Sequence, residues 1–286
     1  MGKKLMIQAC LCGAATSKQQ TPYVPVTPDE IAADTVACVK AGASIVHIHA
    51  RDAEGKNSMA TETFVEICEK VREALAKNNL DCVINLTSSG SKFSEDLRLA
   101  HLPICLPEMC SYDPGSLNWA NSYVFLNTPQ FLTRLGALCN EHKIKPEIEV
   151  FDGGHMQSVE HYVKTGALVQ PVHYQFVLGV TGAMPGNMDS LNYLLPKMLP
   201  GSTWSITGIG RAHMPCLLLG LANGADGLRV GLEDNIYYEK GVLATNAQLV
   251  ERAVKLGEDA GRDIATAADV REILGLTQHV RLQSTT

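Results

Sequence analysis

Short β-branched runs alternate with longer helical stretches along almost the whole chain, and this alternation limits its fold more than any other feature. Lys4 to Cys10 reads as a strand, and Thr27-Pro28-Asp29-Glu30 then opens a helix that ends at Ala41-Gly42. The opening has a threonine N-cap, proline at the first helical position and acids next. The cycle repeats with strand Ser44 to His49, helix Glu62 to Lys77, strand Cys82 to Thr87 and a short helix near Glu95 to Leu99. Strands are expected at Ile104 to Glu108 and Tyr123 to Asn127, followed by helix Pro129 to His142 and strand Glu147 to Phe151. Helix Met156 to Thr165, strand Val172 to Leu178, helix Asn187 to Leu199, strand Trp204 to Thr207, helix His213 to Ala222 and strand Gly227 to Val230 complete the series. About eight β-α cycles without a Pro/Ser-rich linker predict one α/β domain over residues 1–286, a single (β/α)₈ TIM barrel. The tail from Thr266 to Leu276 reads as a C-terminal capping helix, and Gln283 to Thr286 as frayed. A doubly wound sheet is the weaker choice, because Cys10-Leu11-Cys12-Gly13-Ala14-Ala15 does not match G-x-G-x-x-G.

Composition removes several function classes. With 24 basic and 30 acidic residues the formal charge is −6, so no basic field exists to hold a nucleic acid or an anionic membrane surface. No apolar stretch approaches the ~20 residues a bilayer span needs, and the reading is a cytoplasmic protein. Nine cysteines without a C-x-x-C pair are read as reduced, buried small hydrophobes.

In a barrel of this kind the chemistry sits at the C-terminal ends of the strands. His47-Ile48-His49 closes the second strand, and period two puts both imidazoles on one face, the lumen. Two imidazoles at that spacing suit zinc, although a hydrogen-bonded pair in a polar lumen has the same pattern. Arg229, Gly231 and Glu233 alternate at the end of the last strand, and Glu233 can complete a His₂Glu set with an open coordination position. Asp234 follows directly, within reach of whatever the metal binds, and Arg229 can pair with it or with an anionic substrate. Thr87-Ser88-Ser89-Gly90 offers amides and hydroxyls to a carboxylate. Pro107-Glu108-Met109-Cys110-Ser111 is taken to close the fourth strand. Glu147 and Glu149 share one face of the fifth, which demands a polar lumen; Glu149 is nearer the functional end, and Glu147 could serve as a structural partner for an arginine or lysine. Gly208-Ile209-Gly210-Arg211 precedes a helix, an arrangement that favours an anion such as a phosphate-bearing cofactor. His101, His142, His155 and His161 read as loop or helix-surface positions.

Taken together, His47-Ile48-His49, Thr87-Ser88-Ser89-Gly90, Pro107-Glu108-Met109, Pro146-Glu147-Ile148-Glu149-Val150, Phe176-Val177-Leu178-Gly179-Val180, Gly208-Ile209-Gly210-Arg211 and Arg229-Val230-Gly231-Leu232-Glu233-Asp234-Asn235 resemble the β-keto acid cleavage enzymes, in order from about Met6 to Leu276. The resemblance implies a zinc-dependent barrel that condenses a β-keto acid with acetyl-CoA and releases acetoacetate and a new acyl-CoA. It implies zinc on His47, His49 and Glu233, Asp234 as the base oriented by Arg229, and Glu149 near the reacting substrate. Thr87, Ser88, Gly90 and Ser111 would hold the keto acid's carboxylate; Gly210 and Arg211 remain the cofactor-binding candidates on the reading of their own turn. Thr87 and Ser111 depart from the family pattern but keep the hydroxyl. Ala15 stands where members acting on an amino keto acid carry an acid, which points to an uncharged side group on the substrate. The resemblance also implies a homo-oligomer, by analogy a tetramer. Two other readings stay open: a different metal-dependent barrel lyase or hydrolase, and a non-catalytic barrel that binds acyl-CoA or metal.

Overall fold

The structure, a computed structural model, describes residues 3–278. Eight parallel strands close into a barrel: β1 (Met6–Cys10), β2 (Ile45–Ile48), β3 (Val83–Leu86), β4 (Met109–Tyr112), β5 (Lys145–Val150), β6 (His173–Leu178), β7 (Thr203–Gly208) and β8 (Gly227–Val230). They follow one another around the ring in chain order, and β8 pairs β1 with Gln8 opposite Arg229. The protein is therefore a (β/α)₈ barrel, as the alternation predicts. The helices around it are α1 (Pro28–Lys40), α2 (Thr61–Lys77), α3 (Glu95–Ala100), α4 (Pro129–His142), α5 (Gly153–Lys164), α6 (Met188–Leu194), α7 (His213–Ala222), α8 (Asn246–Asp259) and α9 (Ala267–Leu274), besides a single turn at Leu102–Cys105. No helix among the described residues is long and apolar enough to cross a membrane.

Local sequence explains the boundaries. Thr27 and Glu30 form a capping box on α1, with Pro28 at its first position, and Thr266 with Asp269 does the same for α9. The outward faces of the strands pack against the helices in one continuous apolar core that includes Ile7, Val46, Ile148, Tyr174, Ile206 and Leu228. All nine cysteines are buried and free of disulfides, as expected.

The inward faces are layered. At the N-terminal end Met6, Ile45, Val83 and Met109 form an apolar floor with Ala265, Val270 and Leu274 of the α9 segment. The next layer is polar: Glu147 Oε2 accepts hydrogen bonds from Gln8 Nε2 (3.1 Å) and Asn85 Nδ2 (2.7 Å). Its partners are thus side-chain amides, not the cation that the sequence suggested. The layer above holds His47, Glu149 and Arg229, all buried.

Four readings are corrected. The fourth strand is Met109–Tyr112, not Ile104 to Glu108: Leu102–Cys105 is one helical turn that ends on Leu106 in the left-handed region (φ 46°). A short apolar run does not reveal its period, and Pro103 fits the first turn of a helix as well as it fits a strand edge. Tyr123–Phe125 is extended, but it pairs with Leu117–Trp119 in an antiparallel hairpin outside the barrel. Helix α8 is an addition, although Thr245 and Gln248 form its capping box and the S/T-x-x-Q signature is in the sequence. His101 and His155 are buried rather than superficial; His101 stacks on Phe64 and its Nε2 lies 3.0 Å from the Thr87 carbonyl oxygen. The expectation for Gln283 to Thr286 lies outside the described residues.

Candidate active site

β2 ends where His47 and His49 turn into the lumen, with ring centroids 5.1 Å apart. Glu233 reaches them from the turn after β8 rather than from the strand itself. Gly231, at φ 145°, makes that turn possible, because a side chain there would collide with the Cys10 backbone. Gly13, at φ 58°, leaves room on the other side: a Cβ would lie 2.6 Å from Glu233 Cγ. The loop carrying Gly13, Ala14 and Ala15 is pinned by Arg51, whose guanidinium donates to the carbonyls of Gly13, Cys12 and Thr16, each at 2.8 Å.

The Nε2 atoms of His47 and His49 lie 3.7 and 3.3 Å from Glu233 Oε2 and Oε1. Ligands about 2.0–2.1 Å from a tetrahedral zinc are separated by roughly 3.4 Å, so this spacing fits such an ion. Glu233 Oε2 is buried and has no hydrogen-bond partner, which a protein would not tolerate without a cation or water. Burial pushes the His47 imidazolium pKa down to about 4, so the ring is neutral with a lone pair to give. Burial works in the opposite direction on Glu233, but the neighbouring His49 and Arg229 hold it well below the usual carboxylate range.

Arg229, from β8, is the hub of the layer. Its Nη1 donates to Glu149 Oε1 (2.7 Å), Nε to Asp234 Oδ2 (2.9 Å), and Nη2 to both Glu233 Oε1 and Asp234 Oδ1 (3.1 Å each). Thr207 of β7 adds a hydroxyl to Asp234 Oδ2 at 3.1 Å. Burial lifts the Asp234 pKa above its ordinary value against the pull of Arg229. One cation thus orders three carboxylates, and Asp234 and Glu233 lie side by side on a cavity of about 120 Å³. The rest of the cavity wall is mostly apolar: Ala14, Ala15, Phe151, Val177, Ile209 and the hairpin residues Trp119 and Phe125. Trp119, Phe125 and Phe151 pack edge to face at 5.5–6.4 Å.

Comparison with known proteins decides the relationship. A family model described as beta-keto acid cleavage enzyme matches residues 4–276. The chain belongs to the β-keto acid cleavage enzyme family. A 3-keto-5-aminohexanoate cleavage enzyme of Fusobacterium nucleatum is 38% identical over 277 residues, 96% of this chain and 99% of that one. A 3-dehydrocarnitine:acetyl-CoA trimethylamine transferase of Rhizobium meliloti is 33% identical over 97% of this chain and 98% of its own. A 3-oxoadipate:acetyl-CoA acetyltransferase of Cupriavidus necator is 31% identical over 96% of each chain. Among solved structures, ObcA in a binary complex with oxaloacetate superposes with a TM-score of 0.77 at 23% identity, over 90% of this chain and 68% of that longer one, a likeness of fold.

Within this family member the structure brings together six of the residues singled out in the sequence: His47, His49, Glu149, Arg229, Glu233 and Asp234. Thr87, Ser88, Gly90 and Ser111 are buried and largely bonded to one another and to nearby backbone. Ser88 Oγ donates to the Ser111 carbonyl (2.8 Å), the Ser88 amide donates to Ser111 Oγ (2.9 Å), and Thr87 Oγ1 accepts from the Ser89 amide (2.9 Å). The cavity wall on this side is Ser89 and Asp113. Sequence reasoning missed Asp113 because the fourth strand was set too early; with the strand at Met109–Tyr112, period two from Ser111 points to it. Gly210 and Arg211 lie on a neighbouring groove of about 620 Å³ with His213, Met214, Tyr237 and Tyr238. The Gly210 amide already donates to the Asp234 carbonyl (2.9 Å), so the exposed side chains of Arg211 and Lys240 are the cations on this groove.

Proposed function

We propose that this chain is a zinc-dependent β-keto acid cleavage enzyme that uses acetyl-CoA and takes a keto acid with an uncharged side group. The observation that carries the reading is the convergence of His47, His49 and Glu233, with an unpartnered Glu233 oxygen, beside the Arg229–Asp234–Glu149 cluster. The names of the relatives support acetyl-CoA as co-substrate. His47, His49 and Glu233 would hold the metal, which supplies a Lewis acid that acidifies the α-carbon of a bound keto acid.

In this reading Asp234 takes the α-proton onto its carboxylate, and its hydrogen bonds from Arg229 and Thr207 support that role by fixing its orientation. Glu149 fixes the other edge of the guanidinium, so the base cannot swing toward solvent. The deprotonated α-carbon then bonds to the thioester carbonyl carbon of acetyl-CoA, which expels the CoA thiolate. The thiolate sulfur adds to the keto carbon, the bond between the keto carbon and the α-carbon breaks, and the α-carbon keeps the pair and takes back the proton from Asp234. Acetoacetate and a new acyl-CoA leave, and the proton count is unchanged. The carboxylate is proposed to bind at the end of the cavity walled by Ser89 and Asp113, next to the buried Thr87, Ser88, Gly90 and Ser111, and Arg211 is proposed to meet a CoA phosphate on the groove outside the mouth.

Ala14, Ala15 and the Trp119, Phe125 and Phe151 cluster give the side group an apolar wall without a counter-charge. Two of the relatives are named for keto acids that carry an ammonium group, and a third for one with a second carboxylate. The test is acetoacetate release from acetyl-CoA with keto acids bearing alkyl, aromatic, ammonium and carboxylate groups. Uncharged compounds are expected to lead by at least tenfold in kcat/KM, and Ala15→Glu to shift the preference toward the ammonium compound. A wild-type preference for the ammonium compound removes the side-group assignment. Undiminished release by Asp234→Asn removes Asp234 as base.

A further inference from the structure

Asp113 follows β4, two residues beyond Ser111, and its carboxyl is buried at 1% exposure in the wall of the active-site cavity. Oδ2 accepts a hydrogen bond from Ser89 Oγ at 2.7 Å, whereas Oδ1 is buried and has no partner on the protein. Among the described residues Asp113 makes no ion pair. The two nearby cations are committed elsewhere: Arg229 to Glu149, Glu233 and Asp234, and Arg98 of α3 to the Ser88 carbonyl (2.8 Å), the Leu126 carbonyl (3.0 Å) and Asn127 Oδ1 (2.6 Å). The remaining charge that faces Asp113 is Glu149 of β5, which repels a second anion.

A bare carboxylate so buried, held by one neutral hydroxyl and with a like charge close by, is unfavourable; a carboxylic acid is not. In the acid form Ser89 serves the carbonyl oxygen Oδ2, and Oδ1 carries a hydrogen that needs an acceptor. The protein supplies none, while the ligand of this cavity, on the reading above, brings a carboxylate into the neighbourhood of Thr87, Ser88 and Ser111. We propose that Asp113 stands in the site as a neutral acid and donates a hydrogen bond from Oδ1 to the carboxylate of the β-keto acid. The proposal rests on the keto acid reading of the site. The direction of titration agrees with it: burial first, and then the Glu149 charge, push the Asp113 pKa up to about 8.

Ionisation of this group turns a donor into a repelling anion, so binding of the keto acid should fail on the alkaline side. The experiment uses the metal-loaded protein and its Asp113→Asn and Asp113→Ala variants between pH 6 and 9.5, with the best uncharged keto acid from the panel. For the wild type, KM should climb above pH 8, approaching tenfold per pH unit, with a smaller change in kcat. Asp113→Asn, whose amide also donates, should bind only a few-fold more weakly at pH 7 and lose the alkaline rise. Asp113→Ala should raise KM by roughly 10- to 100-fold at pH 7, the range for a charge-assisted hydrogen bond. Infrared difference spectra of wild type against Asp113→Asn should show a carboxylic acid C=O band at pH 7 that disappears at higher pH.

Absence of that band at pH 7 overturns the proposal, as does an Asn variant as impaired as the Ala variant or one that keeps the alkaline rise in KM. An ammonium keto acid that binds the wild type better than Asp113→Asn also overturns it, because it would show an ionised carboxylate. A band at pH 7 with no β-keto acid bound or turned over identifies the substrate reading as the part that failed, and the proposed contact falls with it.

Discussion

The two ends of the barrel are built from the same eight strands, yet they obey opposite rules. At the floor, Met6, Ile45, Val83 and Met109 meet Val270 and Leu274, and the charges of the capping helix lie around the rim, where Arg271 pairs with Asp81 (2.5 and 2.9 Å) and Glu108 (2.5 and 3.2 Å). At the mouth the charges are inside: one buried guanidinium serves three carboxylates, while apolar side chains form the outer wall. The floor gains stability from apolar burial. The mouth carries desolvated charges whose mutual attraction offsets the cost only while every partner is present. This contrast predicts that substitutions at the floor weaken the fold and spare the chemistry, and that those at the mouth depend on which charge is left behind.

The largest effect is expected for Arg229→Met, which leaves Glu149, Glu233 and Asp234 without their shared cation. A loss of about 3–5 kcal/mol in denaturant unfolding and complete loss of turnover are expected. A stable variant would show that the mouth does not depend on this hub. Leu274→Ala follows, at about 2–4 kcal/mol, because it opens a cavity in the floor. Its kcat at a temperature where it is folded should equal that of the wild type; a fall in kcat would mean that floor and mouth are coupled.

Between the two layers, Glu147→Gln tests the cost of a buried acid through pH. Burial, and then the Glu149 charge, push the Glu147 pKa up to about 7, while the unfolded chain releases that proton near 4.3. Between these values the folded state holds more protons than the unfolded one, so the wild type loses stability as pH rises through the window, at up to about 1.4 kcal/mol per unit. Glutamine does not titrate, and the variant should therefore gain on the wild type from pH 5 to 7 and stay level above it. Unfolding curves at four pH values read this directly. The smallest effect is expected for Thr266→Ala, which removes the N-cap of α9 for about 1 kcal/mol and leaves the mouth unchanged.

The floor and the ring were the more legible parts. Turn residues and capping boxes mark most helices, and β-branched runs mark seven of the eight strands, since these signals are local. The exception was the run Leu102 to Pro107, where helix and strand share the same apolar composition, and it carried a cost at the site. A strand placed too early makes Ser111 its last polar residue and hides Asp113. His47, His49, Arg229, Glu233 and Asp234 were readable because polar residues at strand ends have few other reasons to be there. Glu147 was also readable as lumenal, but not its partners, because Gln8 and Asn85 come to it from strands 139 and 62 residues away. The aromatic wall was invisible for a related reason: Trp119 and Phe125 belong to a hairpin whose position over the mouth depends on tertiary packing.

Cleavage is proposed to depend on an ion held by His47, His49 and Glu233. Metal content and acetoacetate release from acetyl-CoA and an uncharged β-keto acid, measured together on wild type and on the His47→Ala/His49→Ala double variant, test it most directly. About one zinc per wild-type chain is expected, with turnover that chelation removes and zinc restores, and a folded double variant with neither metal nor turnover. Turnover that survives in the metal-free double variant would contradict that dependence.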